Sequence, residues 1–195
     1  IIVHNSKTIE SPRDVHGQYQ VPVWEVELKS DVVDSEEFAQ SLMIDSNYQI
    51  SQGHNSDLRS TFVGDGVVKD FLSVSLKDKM LDIALNHWFT QGRFPMGRAH
   101  YDNRAGWLSS ILKDQAGFSM SPHVDNSHVM IQIIVNLIKD YDTATEFYKF
   151  DSSEPIYRAP VRCNHGIVFV NTPGALHSIK GITNTRYIWY AGVVI

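Results

Sequence analysis

The chain predicts a mainly β domain, an antiparallel sandwich or barrel with helices packed on one face (α+β). Three observations carry that prediction. Helical periodicity is confined to the first ninety-odd residues. Beyond about residue 98 the sequence breaks into short β-rich runs divided by turn formers such as Lys139-Asp140, Ser152-Ser153-Glu154-Pro155 and Thr172-Pro173-Gly174. Finally, 195 residues with 43% apolar and 20% charged content can bury one sizeable core. A single domain over 1–195 is expected, with 1–97 supporting a β core at 98–195.

The elements follow in order. Gln18 to Leu28 (QYQVPVWEVEL) alternates like a strand, and Pro22 suggests an edge position. Asp34-Ser35-Glu36-Glu37 reads as a helix start, a capping residue followed by acids in the first turn, with Phe38, Leu42 and Met43 as its apolar stripe. Tyr48 to Val67 is rich in Ser, Asn, Asp and Gly and reads as loop. Ser75 to Phe89 predicts a helix: Leu76, Met80, Ile83, Ala84 and Trp88 recur at helical spacing, and Gly92 stops it. Met130 to Ile138 is a nearly continuous apolar run that suits a buried strand, and Thr145 to Phe150, Gly166 to Val170 and Arg186 to Ile195 are further strands.

Composition narrows the function. The net charge of −5 gives no general attraction to nucleic acid or anionic membrane. The single cysteine, Cys163, excludes an intrachain disulfide framework and any multi-cysteine zinc site. No apolar run approaches the ~20 residues of a membrane span, and no signal peptide is visible, so a cytoplasmic location is expected. The chain starts at Ile1 rather than Met, which leaves room for a segment before it.

The chemistry concentrates in the last third. Ser121-Pro122-His123-Val124-Asp125 precedes the strongest strand, His177 follows Ala175-Leu176, and Arg186 opens the final strand. Two neutral imidazoles and one carboxylate occupy one face of an octahedral iron and leave three positions open, which suits non-haem Fe(II) with a bidentate organic cosubstrate and dioxygen. Arg186 supplies a planar fork for a carboxylate. Arg186, Ile188 and Tyr190 share one face of that strand and Tyr187, Trp189 and Ala191 the other. A second pair, His100-Tyr101-Asp102, lies in a polar stretch and reads as surface loop, with a substrate-facing role as the sharper alternative. His128 and His165 offer ligands for a different metal scheme, whereas His4, His16, His54 and His87 have no motif around them.

These residues resemble the Fe(II)- and 2-oxoglutarate-dependent dioxygenases, specifically the prolyl-hydroxylase-like branch. Gly117, Pro122, His123 and Asp125 match the approach to the first ligands; Thr143-Ala144-Thr145-Glu146-Phe147 resembles the next core strand; Gly166-Ile167-Val168-Phe169, His177-Ser178-Ile179 and Arg186-Tyr187 resemble the closing strands. The resemblance covers roughly 98–195. It implies a double-stranded β-helix (jelly roll), Fe(II) on His123, Asp125 and His177, 2-oxoglutarate with its distal carboxylate on Arg186, and hydroxylation of a small-molecule or peptide substrate by dioxygen with release of succinate and carbon dioxide. Two departures stand out. Prolyl hydroxylases usually have Lys where this chain has Arg186, and Tyr where it has Asp114; the Arg-x-Ser of another branch is also absent, because position 188 is Ile. Tyr101, Tyr148 and Tyr190 are candidates for the missing cosubstrate hydroxyl. The competing readings are a cupin-like iron dioxygenase that needs no 2-oxoglutarate, a jelly-roll binding module, and a nucleic-acid demethylase, the last disfavoured by the acidic balance.

Overall fold

A computed structural model describes residues 1–11, 19–51, 57–90 and 98–195. In chain order the elements are β1 (Ile2–Ser11), β2 (Tyr19–Glu27), α1 (Glu36–Met43), a 3-10 turn (Asp45–Asn47), β3 (Tyr48–Ile50), β4 (Arg59–Phe62), α2 (Val67–Ser73), α3 (Lys77–Thr90), α4 (Arg98–Asp102), β5 (Gly106–Asp114), β6 (Met120–His123), β7 (Val129–Leu137), β8 (Thr145–Tyr148), β9 (Pro155–Arg158), β10 (His165–Val170), β11 (His177–Ile179) and β12 (Arg186–Val194).

The strands form two antiparallel sheets, a jelly roll with helices on one side. The larger has eight strands in the order β1-β2-β10-β7-β12-β5-β4-β3, and the smaller has four, β6-β11-β8-β9. Between them, Phe147 and Tyr157 of the smaller sheet pack with Val21, Val23 and Phe169 of the larger. On the outer face of the larger sheet, Phe38, Leu42, Met80, Leu81, Ala84 and Leu85 from the helices cover Met130, Ile133, Val135, Trp189 and Ala191. β7 is therefore buried on both faces, which is why its sequence is apolar without alternation. Two glycines permit close strand packing. A Cβ on Gly166 would lie 1.9 Å from the Ile134 carbonyl oxygen, and one on Gly192 would lie 2.4 Å from that of Ile131.

The helix expectations hold for the described residues. Ser35 caps α1 by accepting from the Phe38 N–H. The helix expected over Ser75–Phe89 runs Lys77–Thr90, while the stop expected at Gly92 lies outside the described residues. Among the described residues no helix is long and apolar enough to cross a membrane.

Three expectations need correction. β2 is not an edge strand: it lies between β1 and β10. Pro22 is tolerated because β10 pairs only as far as Val23, so the flank beside Pro22 is unpaired there. Tyr48–Val67 is not simply loop. It contains β3 and β4, and β4 pairs with β5 through Arg59↔Asp114, Ser60↔Lys113 and Thr61↔Leu112. Polar residues hide these strands because β4 buries Arg59 and Ser60 beside its one buried apolar side chain, Phe62. His100, Tyr101 and Asp102 belong to the short helix α4, where Asp102 accepts from Arg98 at 2.6 Å.

Candidate functional site

Sheet register assembles the histidines. His123 at the end of β6 and His177 at the start of β11 are direct cross-strand partners, with ring centroids 4.6 Å apart. Asp125 follows in the loop after β6, its Oδ1 3.4 Å from His123 Nε2 and its Oδ2 3.4 Å from His177 Nε2. Metal bonds of about 2.1 Å at right angles put neighbouring donor atoms about 3 Å apart; the two Asp–His spacings are close to that, and all three donors lie within 4.8 Å of one another.

The surroundings fix the donors. His123 Nδ1 lies 2.8 Å from the Ser121 carbonyl oxygen and His177 Nδ1 lies 2.8 Å from that of Ala175. Both rings therefore donate from Nδ1 and turn Nε2 toward Asp125, the outer arrangement that orients metal-binding histidines. Gln132, fully buried on β7, donates its amide to Asp125 Oδ2. Asn171 Nδ2 ties down the loop by donating to the carbonyls of Asp125, Asn126 and Val129 at 3.3, 3.2 and 2.9 Å. Phe147 and Phe169 pack against the His177 ring.

Electrostatics favour the metal-ready state of Asp125 and His177, while His123 is drawn toward its protonated form until an ion displaces that proton. Burial alone would raise the Asp125 carboxyl, but contacts with His123, His177 and Gln132 hold it down to about 2. Burial pushes His177 below its ordinary value, with Asp125 opposing. The contact with Asp125 raises His123, with burial opposing.

A cavity of about 370 Å³ opens from this trio between the sheets, and Arg59, Arg186, Ile188, Tyr190 and Gln132 are among its lining residues. Leu108, Leu112 and Ile134 give it apolar walls. The β12 face bearing Arg186, Ile188 and Tyr190 thus points inward, as its alternation requires.

Arg186 does not stand alone. Arg59, Asp114 and Arg186 are register partners in one row across β4, β5 and β12. Arg59 grips Asp114 through Nε at 2.5 Å and Nη2 at 2.8 Å, and Arg186 Nη2 reaches the same carboxylate at 2.8 Å. All three are buried, Asp114 completely. Phe118 lies under the Arg59 guanidinium, 4.1 Å from ring centroid to Cζ. Two cations thus share one anion. Arg186 Nε and Gln132 Oε1 are buried without a protein partner.

The other sequence candidates lie elsewhere. Tyr101 packs into the helix-side core and borders a separate cavity with His100, Arg104, Ser127 and His128. The Tyr148 hydroxyl donates to Glu146 at 2.6 Å and accepts from Ser178 at 3.1 Å. Of the three tyrosines, Tyr190 alone lines the cavity beside the trio, and burial raises its hydroxyl well above the ordinary value. His128 lines that cavity without joining the trio. Sequence reasoning missed Arg59, Gln132 and Asn171. Gln132 alone left a signal, as a polar interruption in an apolar run.

No family model and no curated protein matches the sequence. Solved structures do match the fold. A prolyl hydroxylase from Trichoplax adhaerens, in complex with a hypoxia inducible factor oxygen degradation domain peptide fragment, aligns with a TM-score of 0.58 at 12% identity over 88% of this chain and 83% of that one. A Pseudomonas putida prolyl-4-hydroxylase aligns at 0.54 and 10% identity over 88% and 91%. The non-heme alpha-ketoglutarate-dependent epimerase of nogalamycin biosynthesis aligns at 0.52 and 12% identity over 88% and 77%.

Proposed function

We propose that this chain, which has the fold of the 2-oxoglutarate and iron oxygenases, is itself an Fe(II)- and 2-oxoglutarate-dependent dioxygenase that hydroxylates a small-molecule or peptide substrate. His123, Asp125 and His177 would hold the metal. Arg186, with Arg59 beside it, would hold the distal carboxylate of the cosubstrate. When bound, Fe(II) with 2-oxoglutarate and dioxygen supplies oxidation of an unactivated carbon, with succinate and carbon dioxide as coproducts.

The observation that carries this reading is the charge balance of the cavity. Arg59 and Arg186 face Asp114 and Asp125, which sums to zero without a metal. A divalent ion adds two positive charges, and the 2-oxoglutarate dianion cancels them. Buried charge is tolerated only when compensated, so the empty sum and the fully loaded one are the favourable states. The partnerless Arg186 Nε is a ready donor for the incoming anion. The chain's own part is to keep His177 neutral through burial, to hold Asp125 through Gln132, and to exclude water with Leu112, Ile134 and Ile188.

The test is anaerobic titration of 2-oxoglutarate into the Fe(II)-loaded protein, followed by the charge-transfer absorbance of the chelate. Arg186→Ala removes a buried ion-pair partner. It should weaken binding by roughly 3–5 kcal/mol, on the order of a hundred- to several-thousand-fold. Arg186→Lys should weaken it less, and neither change should affect iron affinity. Unchanged affinity in Arg186→Ala would move the anchor elsewhere and favour an enzyme that binds substrate directly to the metal. Succinate release above the uncoupled background, across a panel of peptides, amino acids and small metabolites, identifies the substrate.

A further inference from the structure

A second donor cluster lies on the outer strands of the larger sheet, and none of its residues lines the cavity described above. His4, Glu27 and His165 come from β1, β2 and β10, three adjacent strands, and their donor atoms all lie within 4.8 Å of one another. Two features of the backbone bring them together. Glu27 and His165 are direct cross-strand partners. On the other side, the β1–β2 register slips between Val3 and Asn5, which makes His4 the extra residue of a bulge and re-aims its side chain toward Glu27.

The donor chemistry suits a metal. His165 Nδ1 lies 2.8 Å from the Cys163 carbonyl oxygen, so it donates there and leaves Nε2 with a free lone pair. The His4 and His165 rings stack with centroids 5.9 Å apart and planes 10° from parallel. His4 Nε2 reaches Glu27 Oε2 at 2.7 Å, a contact in which a proton now sits where an ion would. Lys29 approaches only the other carboxylate oxygen, Oε1, at 3.5 Å, and leaves Oε2 to the histidines.

We propose that His4, Glu27 and His165 form a second metal site, taken by an imidazole-preferring divalent ion of the Zn(II) type with solvent in its remaining positions. Two neutral imidazoles and one carboxylate match that preference, and three rigid strands present them. The ion clamps β1 to β2 and β10, and its role is structural.

The probe is Zn(II) alone, titrated calorimetrically into the metal-free full chain near neutral pH. The expected result is a micromolar or tighter equivalent that survives in His177→Ala and is lost in His4→Gln and in His165→Gln. The loss should exceed about a hundredfold, more than the 10–100-fold typical of removing an outer partner. Zn(II) should also raise the Tm of His177→Ala and leave that of His177→Ala/His165→Gln unchanged. Both Gln variants keep side-chain volume at partly solvated positions, so they fold, and a melting curve of each metal-free variant checks this. The proposal is overturned if no equivalent has that mutational dependence, if Zn(II) binds there only at millimolar concentration, or if the equivalent persists in His165→Gln. None of these results depends on whether the His123 trio binds iron, because His177→Ala separates the two sites.

Discussion

At the scale of single residues, Asp114 changes what Arg186 can do. A lone buried Arg at the head of a strand would offer its whole fork to a carboxylate. Here one prong is already engaged, and Arg59 contributes the second positive charge. Arg59→Met should therefore weaken 2-oxoglutarate by at least tenfold, while leaving iron affinity and the weak chelation of pyruvate, which has no distal carboxylate, unchanged. Equal loss for both oxo acids would assign Arg59 a purely structural role. The triad was legible in the sequence because two of its members stand two residues apart before one strand and the third follows another. Arg59 was not, because its partner stands 55 positions away and nothing near it in the chain forms a motif. Asp114 drew notice only as a departure from the Tyr of the resembling family; that it would bridge two cations depends on strand register.

At the scale of elements, the loop between β6 and β7 positions Asp125 without regular structure. Asn171, just past β10, does the work of a third strand by donating to three of that loop's carbonyls. Asn171→Ala leaves those acceptors without their donor, at a cost of about 1–3 kcal/mol. Because the loop carries a proposed metal ligand, iron affinity should fall by more than the urea-measured stability loss implies for a variant of equal cost elsewhere, such as Ile111→Val. Proportional losses in both would make Asn171 an ordinary core residue. β2, α1, α3 and the apolar run of β7 were readable from alternation, helical spacing or continuous apolarity, whereas β1 and β5 were not read despite their length. β3 and β4 were not, because β3 has no buried position and β4 buries Arg59 and Ser60 beside a single apolar residue, Phe62.

At the scale of the whole molecule, the first half is part of the site. The sequence resemblance begins near residue 98, yet β1 and β2 continue the larger sheet beside β10, and β4 and β3 continue it beside β5. A fragment of 98–195 keeps all three proposed metal ligands and Arg186 but exposes two sheet edges and loses Arg59. It should show no cooperative unfolding and no 2-oxoglutarate binding by calorimetry. A fragment that binds as the full chain does would make the N-terminal half dispensable and confine the anchor to Arg186.

The order of the charge row along the chain has a consequence for how the site forms. Arg59 is made first, Asp114 next and Arg186 last. Without Arg186 the row holds one cation and one anion, a neutral pair. The surplus positive charge appears only when β12 slots between β5 and β7. Binding of 2-oxoglutarate by this row, as proposed above, would therefore depend on β12 being in place, so the proposed anion site exists only in the closed sheet.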